Sequence, residues 1–159
     1  MPYTFVYGFF VYFYTMSKPN SYLKKIKDLA AKNLLEGEQF LQQNALKDTV
    51  IVLPSGLQYE IIHKGEGKIP TKKDNVLCHY KGSLLNQEVF DSSYKRKRPA
   101  SFFVYELIKG WQEALTLMSV GSQWNLYIPP YLAYGFESIT ETSGGNCTLI
   151  FEMELIAIL

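Results

Sequence analysis

LIKGWQEALTLMSVGSQWNLYIPPYLAY, residues 107 to 134, is the stretch on which the fold turns. Trp111, Leu115 and Met118 recur at spacings of four and three, which puts them on one face of a short amphipathic helix running to Ser119. Val120-Gly121-Ser122 supplies the stop, with glycine at the usual position just past a helix. Trp124, Leu126 and Ile128 then alternate with Gln123, Asn125 and Tyr127, the period of a half-buried strand. A tryptophan opening such a helix faces either core or pocket, and periodicity leaves both open.

On the C-terminal side, Tyr134 to Gly145 reads as a long loop rich in Gly, Ser and Thr. Cys147, Leu149, Phe151, Met153 and Leu155 then alternate with Thr148, Glu152 and Glu154 in a closing strand. Going back toward the N-terminus, Ser101 to Val104 reads as a strand and Tyr94 to Pro99 as a basic loop. Glu88 to Phe90 is a short strand, Asn86-Gln87 a turn, and Val76 to Leu85 a strand with Val76, Cys78 and Tyr80 on one face. His63 to Asn75 is a polar loop, Leu57 to Ile62 a strand, and Lys47 to Ser55 a connector. Antiparallel strands around one helix, without a βαβ rhythm, give an α+β domain.

Ahead of that domain, Ser21 to about Asn44 is a helix. Leu23, Ile26, Ala30, Leu34, Gly37 and Leu41 form its apolar stripe, and Ser21 is the expected N-cap. Such a helix is marginal alone in water, so the stripe meets its own domain or a second copy of the chain. Gly37 either weakens the helix by about 1 kcal/mol or lets a partner approach closely. Met1 to Met16 is aromatic and carries no charge. A degenerate export signal, a hydrophobic tail and an extension ahead of a start at Met16 all fit it, while the basic flank and cleavage site of a signal peptide are missing. The chain thus divides at residues 1–16, 17–50 and 51–159.

The 159 residues are 47% hydrophobic, enough for a core, and the formal net charge of +1 gives nucleic acid no electrostatic handle. Lys95 to Arg98 is a single basic run and reads as a solvated loop. Cys78 and Cys147 match no metal spacing and read as buried thiols, with a disulfide left open. His63 and His79 stand in different elements, and no nucleophile, base and acid come together. No cofactor or metal is expected. What remains is aromatic: Tyr80, Phe90, Trp111, Tyr134 and Phe151, which suit a core or the walls of an apolar pocket.

Seven short segments carry a resemblance: His79-Tyr80-Lys-Gly82, Val89-Phe90-Asp91-Ser-Ser93, Ile108-Lys-Gly-Trp111, Met118-Ser-Val-Gly121, Ile128-Pro-Pro130, Ala133-Tyr134-Gly135 and Thr148-Leu-Ile-Phe151. In this order and spacing the sequence resembles the FKBP-type peptidyl-prolyl cis–trans isomerases from about Leu57 to Leu159. Glu36-Gly-Glu-Gln-Phe40-Leu and Leu53-Pro-Ser-Gly-Leu57-Gln-Tyr look like the bacterial subgroup containing the macrophage infectivity potentiator (Mip), whose members place a helical dimerisation region before the isomerase domain.

The resemblance implies a bent antiparallel sheet of about five strands wrapped around one short helix, preceded by an N-terminal helix. It implies a pocket floored by Trp111 and walled by Tyr80, Phe90, Tyr134 and Phe151. Leu107 and Ile108 would form its edge, with Asp91 at the rim near the Tyr80 hydroxyl. The Ile108 N–H and Tyr134 hydroxyl would donate to the bound peptide. Implied partners are proline-containing peptides, unfolded clients, macrolides such as tacrolimus or rapamycin, and a second copy through the N-terminal helix. Bacterial cytoplasm and periplasm both stay open. The sequence departs from the family at Ala100, which opens one side of the pocket, and at Thr142 to Asn146, where apolar residues are lost and the loop is expected to loosen. Ile139 would replace part of that surface. A holdase with little turnover is the rival reading.

Overall fold

A computed structural model describes residues 20–159; the Met1–Met16 segment lies outside the described residues. Its elements are helix α1 (Asn20–Asn44), strands β1 (Ile51–Val52), β2 (Gln58–His63), β3 (Asn75–Leu84), β4 (Val89–Ser92) and β5 (Ala100–Phe103), helix α2 (Lys109–Leu115), and strands β6 (Gln123–Ile128) and β7 (Leu149–Ile158). Single 3₁₀ turns at Val104–Glu106 and Pro130–Leu132 flank α2 and β6.

The seven strands form one antiparallel sheet in the order β1-β2-β6-β7-β3-β4, with β5 also paired to β3. Seven replaces the expected five because two short strands, β4 and β5, share one edge and β1 adds to the other. The lower half of β3, Asn75 to Cys78, pairs with β5, and its upper part, Lys81 to Ser83, pairs with β4. Tyr80 stands at the break. There Ser93 takes over the ladder: its N–H donates to the Tyr80 carbonyl (3.0 Å), and its Oγ accepts from the Tyr80 N–H (2.8 Å).

The sheet's inner face is built by strict alternation. Val76, Cys78, Tyr80 and Leu84 of β3, Leu126 and Ile128 of β6, and Leu149, Phe151, Met153 and Leu155 of β7 are buried. They close on Trp111, Ala114, Leu115 and Met118, which are also buried. Each fully buried aliphatic side chain contributes roughly 1.5–3 kcal/mol. The helix is shorter than the sequence suggests. It ends at Leu115, and a turn carries Met118 back to the core before Gly121, at φ 92°, reverses the chain.

α1 packs across the outer side of the sheet near Gln58, Tyr127 and Thr148, so part of its stripe is covered by its own chain. The Asn44 amide donates to Gln58 Oε1 (2.9 Å), the Gln58 amide donates to the Leu41 carbonyl (2.9 Å), and Phe40 lies against Tyr127. Gly37 marks the closest approach: a Cβ there would overlap Thr148 Oγ1 and come within 3.2 Å of its Cβ. Three expectations need correction. Leu34 is 40% exposed, and Asn33 occupies the packed position beside it. Ser21 lies inside the helix and is not its N-cap. The connector Lys47–Ser55 contains β1, whose Ile51 and Val52 add an edge to β2.

Both cysteines are buried free thiols, so the disulfide left open is not formed. Burial pushes the Cys78 thiol up to about 12, which makes it a poor nucleophile.

Candidate functional site

Five rings meet between β3, β4, β5, β7 and α2. Trp111, only 1% exposed, takes edge-to-face contacts from Tyr80 and Phe151, both at 5.1 Å, and from Phe102 at 5.8 Å. Phe90 meets Phe151 in the same way at 5.6 Å. Edge-to-face pairing sets positive ring edges against negative faces and fixes each ring's orientation. Gly82 makes the room, since a Cβ there would collide with Phe90 and Phe151 together. Trp111 is therefore core, at the centre of the ring cluster. Its indole N–H has no hydrogen-bond partner among the described residues.

Asp91 joins this cluster through hydrogen bonds. The Tyr80 hydroxyl donates to Asp91 Oδ2 (2.8 Å) and accepts from Arg96 Nη2 (2.6 Å), while Arg96 Nη1 bonds Asp91 Oδ1. The Arg96 guanidinium also lies 5.5 Å from the Tyr80 ring centroid. Arg96 is a residue that sequence reasoning missed, having been read as part of a solvated basic loop. Phe102 was missed too, although it stands two residues past Ala100 on the same strand face, and both pack against the core.

Leu107, Ile108 and Tyr134 line a groove of about 640 Å³ with Pro130, Tyr131 and Phe136, and none of the five clustered rings lines it. No acceptor lies on the Ile108 N–H among the described residues. Burial, with Asp91 and Glu137 as nearby negative charges, pushes the Tyr134 phenol up to about 12. Burial and the hydrogen bond to Asp91 do the same for Tyr80. Both hydroxyls therefore keep their protons, and their capacity to donate, throughout the neutral range. Ile139 is partly buried against the core and is not among the residues lining the groove.

The Thr142–Asn146 loop is tied down, contrary to the expected loosening. Ser143 Oγ accepts from the N–H groups of Ile139 and Thr140, and the Asn33 amide of α1 donates to the carbonyls of Ser143 (2.7 Å) and Gly145 (2.9 Å). The N-terminal helix thus replaces by hydrogen bonding what the loop lacks in apolar contact.

A family model described as FKBP-type peptidyl-prolyl cis-trans isomerase matches residues 66–156, and one described as the domain amino terminal to it matches residues 14–61. The chain is 49% identical over 124 residues to the FKBP-type 22 kDa peptidyl-prolyl cis-trans isomerase of Escherichia coli, covering 78% of this chain and 60% of that one. It is 46% identical over 126 residues to the peptidyl-prolyl cis-trans isomerase Mip of Coxiella burnetii, covering 79% and 55%. The crystal structure of FkpA from E. coli superposes with a TM-score of 0.80 at 34% identity, covering 86% of this chain and 63% of that one. That of a peptidyl-prolyl cis-trans isomerase from Pseudomonas syringae gives 0.74 at 31% identity, covering 80% and 94%. The chain spans between a half and two thirds of the length of those two curated relatives. The matches to both family models and to these relatives show that the chain belongs to the FKBP-type peptidyl-prolyl cis-trans isomerase family, on its Mip-like branch.

Proposed function

We propose that this chain accelerates cis–trans isomerisation of X-Pro peptide bonds in proline-containing peptides and unfolded clients. Residues 51–159 would form the isomerase unit. Trp111 would floor the pocket, and Tyr80, Phe90, Tyr134 and Phe151 would wall it. Leu107, Ile108 and Ile139 would add aliphatic surface, and Asp91 would hold the Tyr80 hydroxyl at the rim. The observation that carries this reading is the ring cluster closed by the Tyr80–Asp91–Arg96 hydrogen bonds, together with an Ile108 N–H that has no acceptor among the described residues.

The physics needs neither nucleophile nor cofactor. Amide resonance sets a rotation barrier of about 18–20 kcal/mol, and X-Pro bonds isomerise unaided over tens to hundreds of seconds. The planar amide is strongly dipolar, and the twisted transition state has lost that resonance. A ring-lined, water-poor surface therefore disfavours the planar form relative to the twisted one. The Ile108 N–H and the Tyr134 hydroxyl, placed for the twisted geometry, add stabilisation absent from the ground state. Each tenfold gain needs only about 1.4 kcal/mol.

The test is the cis-to-trans rate of a short Leu-Pro peptide, with and without rapamycin. Acceleration abolished by the macrolide is expected, and no acceleration by the folded protein would overturn the assignment. Pairing of two copies, if it occurs through α1, would use its outer side, where Leu34 and Leu35 are 40% and 56% exposed. A monomeric mass by light scattering would exclude it.

A further inference from the structure

Phe136 is 88% exposed, although it sits two residues from Tyr134 in a tightly held segment. Single exposed apolar side chains are ordinary on protein surfaces. This one differs in how its backbone is fixed. The Gly135 N–H donates to the Pro130 carbonyl (2.9 Å), the Asn146 N–H to the Gly135 carbonyl (2.7 Å), and the Glu137 N–H to the Tyr134 carbonyl (3.1 Å). Gly145 packs so closely that any larger residue there would strike the Phe136 carbonyl. The chain is clamped while the ring is left in water.

Phe136 lines the same groove as Ile108 and Tyr134, with Tyr131 as a further wall. Tyr131 is 62% exposed, and its hydroxyl donates to the Ser55 carbonyl (2.9 Å), which holds its ring in place. Lys109 and Glu137 bring one charge of each sign to the rim, which selects for neither an acidic nor a basic segment. The groove is shallow and open to solvent, which suits a passing peptide segment rather than an enclosed small molecule. On the isomerase reading above, a peptide held at Ile108 and Tyr134 lies in the groove that Tyr131 and Phe136 also line, and an extended chain, advancing about 3.3 Å per residue, brings its next few residues toward those two rings.

We propose that this groove is an extended client subsite for an aromatic side chain within about three residues of the isomerised proline, with Phe136 as its specificity-determining contact. The proposal rests on the isomerase reading above. Two exposed aromatic rings, one on a clamped backbone and one held through its hydroxyl, with little net charge and continuity with the peptide donors, together favour an aromatic client residue. Holding the backbone before binding removes part of the ordering cost that a flexible loop would incur.

The experiment uses the full chain and Phe136→Ala. It compares kcat/KM for an alanine-rich Leu-Pro peptide with that for peptides carrying Phe at each position within three residues of the proline. At one position at least, the original chain should prefer the Phe peptide by roughly three- to tenfold, mainly through KM, as aromatic pairing of ordinary strength provides. Phe136→Ala should bring that ratio to about one, and Phe136→Tyr should restore it. An unchanged ratio in Phe136→Ala overturns the subsite. Absence of turnover with every peptide overturns the isomerase reading instead. The subsite then stands or falls on fluorescence binding of the same Phe peptides, with weaker binding by Phe136→Ala supporting it and equal binding overturning it.

Discussion

The Tyr80 hydroxyl is both donor and acceptor. It donates to Asp91 and accepts from Arg96, whose other nitrogen holds the second oxygen of the same carboxylate. Only a planar fork makes both contacts from one side chain. Two predictions follow at this scale. Asp91→Ala should lower kcat/KM by about tenfold or more, because it removes the group that orients Tyr80 and leaves the guanidinium without its carboxylate. Arg96 is 42% exposed, so its contribution is screened, and Arg96→Ala should cost roughly two- to fivefold. Arg96→Lys should do little better, since it keeps the charge and loses the fork; full activity in the lysine variant would show that charge alone matters. The site was legible in sequence as far as residue types with fixed motif neighbours go. Tyr80, Asp91 and Trp111 each stand inside a recognisable run. Arg96 stands in a run of four basic residues that looks like solvated surface. It reaches Asp91 because the edge of β3 is broken at Tyr80, and that break is a property of sheet pairing rather than of any local pattern.

At the scale of elements, α1 decides whether its glycine is a defect or a contact. Alanine in an unpacked helix is worth about 1 kcal/mol over glycine. Docked against Thr148, just ahead of β7, the same methyl would overlap Thr148 Oγ1, and overpacking of this kind costs typically 1–3 kcal/mol. Gly37→Ala should therefore lower the urea midpoint by the equivalent of about 1 kcal/mol, the packing loss exceeding the helical gain. A raised midpoint would mean that α1 leaves the domain in solution. The apolar stripe on Leu23, Ile26, Ala30, Gly37 and Leu41 was readable because it repeats through several turns. Its one error, Leu34 for Asn33, comes from reading hydrophobicity where the structure uses an amide: Asn33 is buried enough to serve two loop carbonyls that have no other donor from the helix. β1 escaped notice for a similar reason. A two-residue strand has no period, and Ile51 and Val52 become strand only through pairing with Tyr59 and Gln58.

Across the whole molecule, the buried acids of interest are phenols and a thiol, and they set its response to alkali. Tyr80 is 2% exposed and raised from an ordinary 10.0 to about 12, and Cys78 is fully buried and raised from 9.0 to about 12. Tyr134 is also raised to about 12, and Tyr127 is pushed up by burial and by its bond to Glu60. A group whose pKa is higher in the folded state releases its proton first when unfolded. Its stabilising contribution is complete below the unfolded value and disappears as pH rises through the folded one. The window here opens near pH 9 for the thiol and near pH 10 for the phenols, and closes near pH 12. Tyr80 alone accounts for on the order of 2 kcal/mol. Isomerisation transfers no proton, and the donating hydroxyls stay protonated, so kcat/KM should be flat from about pH 6 to 9. Urea midpoints should hold over that range and then fall steeply between about pH 10 and 12. Tyr80→Phe should start from a lower midpoint at pH 8, having lost its bond to Asp91, and then fall less steeply above pH 10, because one of the shifted groups is gone. Equal slopes in the two proteins would mean that water reaches the Tyr80 hydroxyl freely, and a site open to water in that way could not supply the low-polarity surface on which the proposed catalysis depends.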